Sequence, residues 1–109
     1  MLDVEPHNLV IIRQILQKFV PDFEIRAFGS RVNGTVKPYS DLDLVIVGKE
    51  KIKRRTRALL REEFAESNLP FRVDVLDYNA ISKEFQAVVD KKYEVIQQKP
   101  GQKDTTNEG

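Results

Sequence analysis

The sequence predicts one small α/β (α+β) domain in which helices flank a mixed sheet of about three strands. Apolar residues recur at helical spacing in some segments and at strand spacing in others, and glycine, proline or asparagine marks most of the boundaries. A chain of 109 residues has room for one domain. We expect this domain to span residues 1–99 and residues 100–109 to form a flexible polar tail.

Three segments have the periodicity of helices and three have that of strands. The predicted helices are Pro6–Phe19, 52–67 and a last one from 79 or 82 to about 97. The predicted strands are 23–28, Leu42–Val47 and 71–76. Between the first two strands, one helical turn can begin at Ser30, followed by a loop. This order is typical of a small α/β domain with a mixed sheet, in which the second strand is central.

Composition excludes several kinds of site. The chain has no cysteine and a single histidine, His7, which rules out disulfides and makes a zinc site a poor fit. Any bound metal is therefore expected to be a hard cation held by carboxylates. No apolar run approaches the ~20 residues that cross a bilayer, and the N-terminus lacks the order of a signal peptide, so we expect a cytoplasmic protein.

Two aspartates surround the start of the second predicted strand. Residues two apart on a strand point to the same face, so Asp41 and Asp43 would project side by side while Leu42 and Leu44 enter the core. Two neighbouring carboxylates repel each other unless a cation lies between them, and magnesium accepts such ligands. An Asp-x-Asp pair is also compatible with a plain turn followed by a solvent-facing strand residue, and that alternative stays open.

A third carboxylate, Asp74, lies in the middle of the last predicted strand, where aspartate is disfavoured. If this strand pairs beside the second one, Asp74 can complete a cluster with Asp41 and Asp43. The alternatives are a charge that protects a sheet edge from aggregation, or an ion pair with a nearby arginine. Asp77 is assigned to a turn or helix start and left out of the site.

Gly29 and Ser30 directly follow the first predicted strand. Glycine lets the backbone turn sharply and lets a ligand approach the main chain closely. The unpaired N–H groups of a helical turn that begins at Ser30 favour a phosphate group. Gly-Ser after a strand is also a common turn, so this feature is weak by itself.

The stretch from Gly29 to Leu44 resembles the signature of the polymerase-β nucleotidyltransferase superfamily. The shared features are Gly-Ser, a second glycine at Gly34, and the Asp-x-Asp of Asp41 and Asp43. The chain is most similar to the minimal nucleotidyltransferases, a small prokaryotic subset, over about residues 9–98. The resemblance implies the polymerase-β type of nucleotidyltransferase fold.

The resemblance also implies a role for each residue of the motif. The implied nucleotide-binding residues are Gly29, Ser30 and Arg31. The implied catalytic and metal-binding residues are Asp41, Asp43 and Asp74. These carboxylates would hold two magnesium ions, and Asp74 would also help to deprotonate the attacking hydroxyl.

The implied activity is transfer of a nucleoside monophosphate, AMP from ATP, to a hydroxyl acceptor. Minimal members of the superfamily typically act with a separate helical protein, and some adenylylate a HEPN-type ribonuclease toxin. We therefore expect such a partner, and neither a membrane nor a nucleic acid. The alternative is a non-catalytic antitoxin that neutralises the partner by docking. The basic run at 49–57 is either a solvated helix start or a surface for an acidic partner or RNA.

Overall fold

The computed structural model describes residues 2–34 and 40–101. The helices are α1 (Pro6–Phe19), α2 (Ser30–Asn33), α3 (Arg54–Glu66) and α4 (Lys83–Lys91). The strands are β1 (Glu24–Phe28), β2 (Leu42–Val47), β3 (Val73–Asp77) and β4 (Glu94–Gln97), and a 3₁₀ turn spans Tyr78–Ala80. Most of the predicted loop after α2 and the tail beyond Gly101 lie outside the described residues.

The four strands form one mixed sheet in the order β3-β2-β1-β4. Strand β1 pairs antiparallel with both β2 and β4, whereas β2 and β3 are parallel. A parallel pair needs a crossover connection, and α3 supplies it. The predicted mixed sheet is confirmed, and β2 is an inner strand as expected.

The prediction for the end of the chain was wrong in one respect. The last helix, α4, ends at Lys91, and residues Glu94–Gln97 form a fourth strand on the outer edge of β1. Ile96 lies seven residues after Val89, so it fits a helical stripe as well as a strand. Pairing with β1 decides between the two, because it provides hydrogen-bond partners for backbone groups along that edge.

The main core lies between one face of the sheet and the pair of helices α1 and α3. Ile12 and Leu16 of α1 and Leu60 of α3 are fully buried there. The strands contribute side chains that alternate along each strand and point to this face: Ile25, Ala27, Leu42, Leu44, Ile46, Val75 and Ile96. The strand side chains on this face are therefore covered by α1 and α3.

The opposite face of the sheet is covered in part by α4. A second, smaller core joins Phe28 of β1, Val45 of β2 and Val89 of α4. Ser82 caps the N-terminus of α4, and its hydroxyl accepts the N–H of Phe85 at 3.1 Å. No helix in the described part of the chain is long and apolar enough to span a membrane.

Candidate active site

Two carboxylates lie side by side at one end of the parallel strand pair. The register between β2 and β3 places Asp43 opposite Asp74, each as the second residue of its strand. Their neighbours Leu42, Leu44 and Val75 are fully buried in the main core. Because side chains alternate along a strand, both carboxylates therefore point to the opposite face. The predicted adjacency of Asp74 and Asp43 is confirmed by this register.

Asp41 stands just outside β2 and is exposed. Its backbone is fixed by the residues on either side. After it, the N–H of Leu42 donates to the carbonyl of Arg72 at 2.8 Å, and before it, the carbonyl of Ser40 accepts a hydrogen bond from Arg31 at 2.9 Å. Asp41 therefore enters the site from a non-strand segment that is held at both ends.

Negative charge is concentrated around Asp43. Its pKa is raised from 3.8 to about 6, first by burial and then by the negative charges of Asp74 and Asp41. A cation beside these carboxylates would reduce that repulsion, and their oxygens are the ligands that magnesium prefers. The chemistry of the donors thus fits magnesium.

The geometry of a complete metal site is a separate question. Within residues 2–34 and 40–101, no three His, Cys, Asp or Glu side chains lie where they could hold one metal ion together. The metal-binding and catalytic roles of Asp41, Asp43 and Asp74 therefore stay predictions.

The turn at Gly29 packs directly against Asp43. Gly29 has φ 84° and ψ −156°, a conformation that is essentially restricted to glycine. A Cβ at this position would overlap Oδ2 of Asp43 and lie 3.3 Å from its Cγ. The N–H groups of Val32 and Asn33 donate to the carbonyl of Gly29, which confirms the predicted helical turn from Ser30. The Gly-Ser turn therefore lies directly beside the Asp43 carboxylate, which is itself next to Asp74 in the sheet.

Arg31 is the motif residue whose surroundings were not foreseen. Its guanidinium donates to the carbonyls of Ser40 and Asp3, each at 2.9 Å, and lies 4.1 Å from the centre of the Phe71 ring. The Arg31 side chain therefore contacts the N-terminal segment and the residues that precede β3. The predicted contact of Arg31 with phosphate is not tested by these distances. Backbone acceptors such as the Ser40 carbonyl leave no mark in a sequence, so this arrangement could not have been predicted.

Asp77 and Arg57, the last residue of the basic run, have structural partners. Asp77 is buried, and its carboxylate accepts the N–H groups of Ile52 at 2.8 Å and Asn79 at 3.0 Å. This confirms its assignment to a turn or helix start. Arg57 and Arg61 of α3 donate to the Val75 carbonyl at 3.4 and 3.5 Å.

These features define the class of protein. A model of the nucleotidyltransferase domain family matches residues 9–100, and the chain belongs to that family. A relative from Haemophilus influenzae (strain ATCC 51907 / DSM 11121 / KW20 / Rd), the probable protein adenylyltransferase MntA, is 48% identical over 98 residues. The matched region covers 90% of this chain and 86% of that relative.

Solved structures show the same fold. A chain in the crystal structure of a toxin–antitoxin with AMP-PNP superposes with a TM-score of 0.71 and 24% identity, over 85% of this chain and 75% of that chain. A chain in the structure of a tri-AMPylated Shewanella oneidensis HEPN toxin in complex with its MNT antitoxin gives 0.65 and 24%, over 84% and 71%. At this level of identity, the likeness establishes the polymerase-β type of fold.

Proposed function

We propose that this chain is a magnesium-dependent protein adenylyltransferase that transfers AMP from ATP to a hydroxyl group of a HEPN-type toxin. The family membership gives nucleotidyl transfer as the reaction class. The choice of AMP and of a protein acceptor is supported by the relative that is 48% identical over 98 residues, a probable protein adenylyltransferase.

One observation carries the assignment of the site: Asp43 has Asp74 beside it in the sheet and the Gly-Ser turn against it on the other side. A transfer site needs carboxylates for cations and a cradle for phosphate, and here the two are adjacent. A turn without ligand chemistry would not need carboxylates from two strands at this point. We assign Gly29 and Ser30 to the triphosphate.

In the proposed reaction, an oxygen of the acceptor hydroxyl attacks the α-phosphorus of ATP. The bond from the α-phosphorus to the bridging oxygen breaks, pyrophosphate leaves, and the acceptor retains AMP as a phosphodiester. The Asp74 carboxylate accepts the hydroxyl proton as the new bond forms. Magnesium held by Asp41, Asp43 and Asp74 would neutralise the charge that develops on the phosphates.

The choice of partner is supported by a similar solved structure and by the face of the sheet on which the carboxylates lie. One structurally similar chain comes from a complex of a tri-AMPylated HEPN toxin with an MNT antitoxin. In this chain, Asp43 and Asp74 lie on the sheet face opposite α1 and α3, so the main core does not obstruct an approaching protein. ATP is abundant in the cytoplasm, where we expect the reaction to occur.

The test is to incubate the chain with its genomic neighbour, ATP labelled at the α-phosphate, and magnesium. The expected result is a gain in mass of the partner that corresponds to one or more AMP groups. The double variant Asp41→Asn/Asp43→Asn should show no transfer, whereas Asp22→Asn, an exposed aspartate after α1, should behave as the wild type.

Two results would contradict the proposal. Undiminished transfer by the double variant would show that the carboxylates are assigned wrongly. Neutralisation of the partner by wild-type protein without any transfer of label would support the non-catalytic docking antitoxin instead.

A further inference from the structure

Arg31 is a buried arginine at the centre of three chain segments. Only 7% of its surface is exposed, although arginine is rarely buried without a dedicated role. Its Nε donates to the Ser40 carbonyl and its Nη1 to the Asp3 carbonyl, and the ring of Phe71 lies against the guanidinium. Two N–H groups and one face of the guanidinium are therefore already in contact with other parts of the protein.

The N-terminal segment binds Arg31 through its backbone as well. The N–H of Asp3 donates to the carbonyl of Arg31 at 2.7 Å, while the Arg31 guanidinium donates back to the carbonyl of Asp3. These two reciprocal bonds hold the position of Arg31 in α2. Because Arg31 is held in place, its guanidinium can fix the position of the Ser40 carbonyl, to which its Nε donates.

That segment leads into Asp41. A peptide unit is planar, so an orientation imposed on the Ser40 carbonyl is passed to the N and Cα of the next residue, Asp41. On the far side, the N–H of Leu42 is held by the carbonyl of Arg72. Asp41 is exposed and precedes the strand, so the sheet alone does not fix its backbone. The Arg31 bond to the Ser40 carbonyl adds a constraint on the peptide unit directly before Asp41.

We infer that Arg31 is a positioning residue that orients Asp41 through the Ser40 carbonyl, and that it does not bind the triphosphate. This inference rests on the proposed function, in which Asp41 is a metal ligand. Partners that orient metal ligands typically change metal affinity by about 10- to 100-fold when they are removed.

Arginine and lysine should differ sharply at this position. The rigid guanidinium fork donates to two carbonyls at once and stacks on an aromatic ring, whereas a lysine ammonium is a point charge on a flexible stem. A residue that only neutralised phosphate would tolerate lysine. A residue that joins Asp3, Ser40 and Phe71 would not.

The experiment compares Arg31→Lys with Arg13→Lys. Arg13 is a matched control, because its Nε also donates to a backbone carbonyl, that of Ile96 at 3.1 Å, away from the carboxylates. Phe71→Leu is the second variant, since it keeps the charge of Arg31 and removes the ring beneath it. Each protein is measured by hydrogen exchange of peptides that cover residues 41–44, by Mn²⁺ binding, by ATP binding in EDTA, and by kcat and KM for ATP.

For Arg31→Lys we expect faster exchange at residues 41–44 with exchange in α1 unchanged, and Mn²⁺ affinity lower by about 10-fold or more. We expect kcat to fall while ATP affinity in EDTA and the KM for ATP stay within about twofold of wild type. Phe71→Leu should change the same quantities by a smaller factor. Arg13→Lys should leave exchange at residues 41–44 and Mn²⁺ binding unchanged.

Unchanged exchange at residues 41–44 in both Arg31→Lys and Phe71→Leu would overturn the inference. A loss of ATP affinity in EDTA with normal Mn²⁺ binding would also overturn it and restore the phosphate role. If the wild-type protein neither bound Mn²⁺ nor transferred AMP, the proposed function would fail. The exchange comparison would still decide whether Arg31 orients the backbone at Asp41.

Discussion

The backbone of Gly29 lies directly against the side chain of Asp43, with no room for a Cβ between them. This contact joins the turn that follows β1 to the carboxylate on the neighbouring strand. It makes glycine necessary at position 29 for two separate reasons, the backbone conformation and the space that Asp43 occupies.

Gly29→Ala should therefore reduce nucleotidyl transfer by about 100-fold or more, because the new methyl group displaces Asp43 from its place in the site. The matched control is Gly34→Ala, since Gly34 also has a positive φ, 82°, but nothing lies within 4 Å of a Cβ placed there. Both variants should lose about 1–3 kcal/mol of stability, measured by urea unfolding. Equal activity of the two variants would disprove the steric argument.

Asp43→Asn should remove activity and at the same time raise the stability of the metal-free protein. The folded state raises the pKa of Asp43 to about 6 from 3.8, so it binds this proton more tightly than the unfolded chain does. The free energy of unfolding therefore falls as the pH rises from about 4 to about 6, and the deficit persists above that range. Asparagine carries no such charge.

The melting temperature of Asp43→Asn should exceed that of wild type at about pH 7.5 in EDTA, and the difference should vanish near pH 4. Calorimetry at both pH values measures this. A stabilisation that is independent of pH would point to a cause other than the charge of Asp43. Added magnesium should narrow the gap at neutral pH by stabilising wild type alone.

Ser30→Ala should raise the KM for ATP by about tenfold, because the proposed triphosphate site loses one hydroxyl, worth about 1.4 kcal/mol. Ser82→Ala is the matched control, since the Ser82 hydroxyl caps α4 instead. That variant should lose about 1 kcal/mol of stability and keep its KM. Steady-state kinetics should show a raised KM for Ser30→Ala only, and thermal unfolding should show the loss of stability caused by removing the cap for Ser82→Ala only. The same change in KM and stability in both variants would count against the role of Ser30.

Ile96→Ala should cost about 2–5 kcal/mol of stability, whereas Val95→Ala should cost far less. Ile96 is 6% exposed and packs in the main core, while Val95 is 41% exposed on the other face of β4. Urea unfolding of both variants tests whether this segment alternates as a strand does. Equal costs at the two positions would contradict the fourth strand.

Much of the fold could be predicted because most elements carry consistent local signals. Pro6 and Pro21 enclose α1, and the helical turn after Gly29 follows from the Gly-Ser motif. The fourth strand could not be predicted in this way, because Ile96 satisfies the helical and the strand periodicity alike. Only the free edge of β1, which is a tertiary feature, selects the strand.

Part of the candidate site could likewise be predicted from the sequence, and part could not. The adjacency of Asp43 and Asp74 follows from alternation along two strands once their pairing is assumed, so the sequence contains most of the information. The surroundings of Arg31 depend on the carbonyls of Ser40 and Asp3, and any residue type has a carbonyl. Contacts with the main chain are therefore the part of a site that side-chain patterns do not reveal.

The parallel register of β2 and β3 determines how the site is lost when the protein unfolds. A slip of one residue would turn Asp74 toward the apolar helices and bring Val73 or Val75 out to the reactive face. Burial of a carboxylate and exposure of valine oppose this slip strongly. A folded sheet in which Asp43 and Asp74 are out of register is therefore not populated. Heating should accordingly leave each molecule either fully competent or unfolded, and enzymatic activity and circular dichroism should disappear at one temperature.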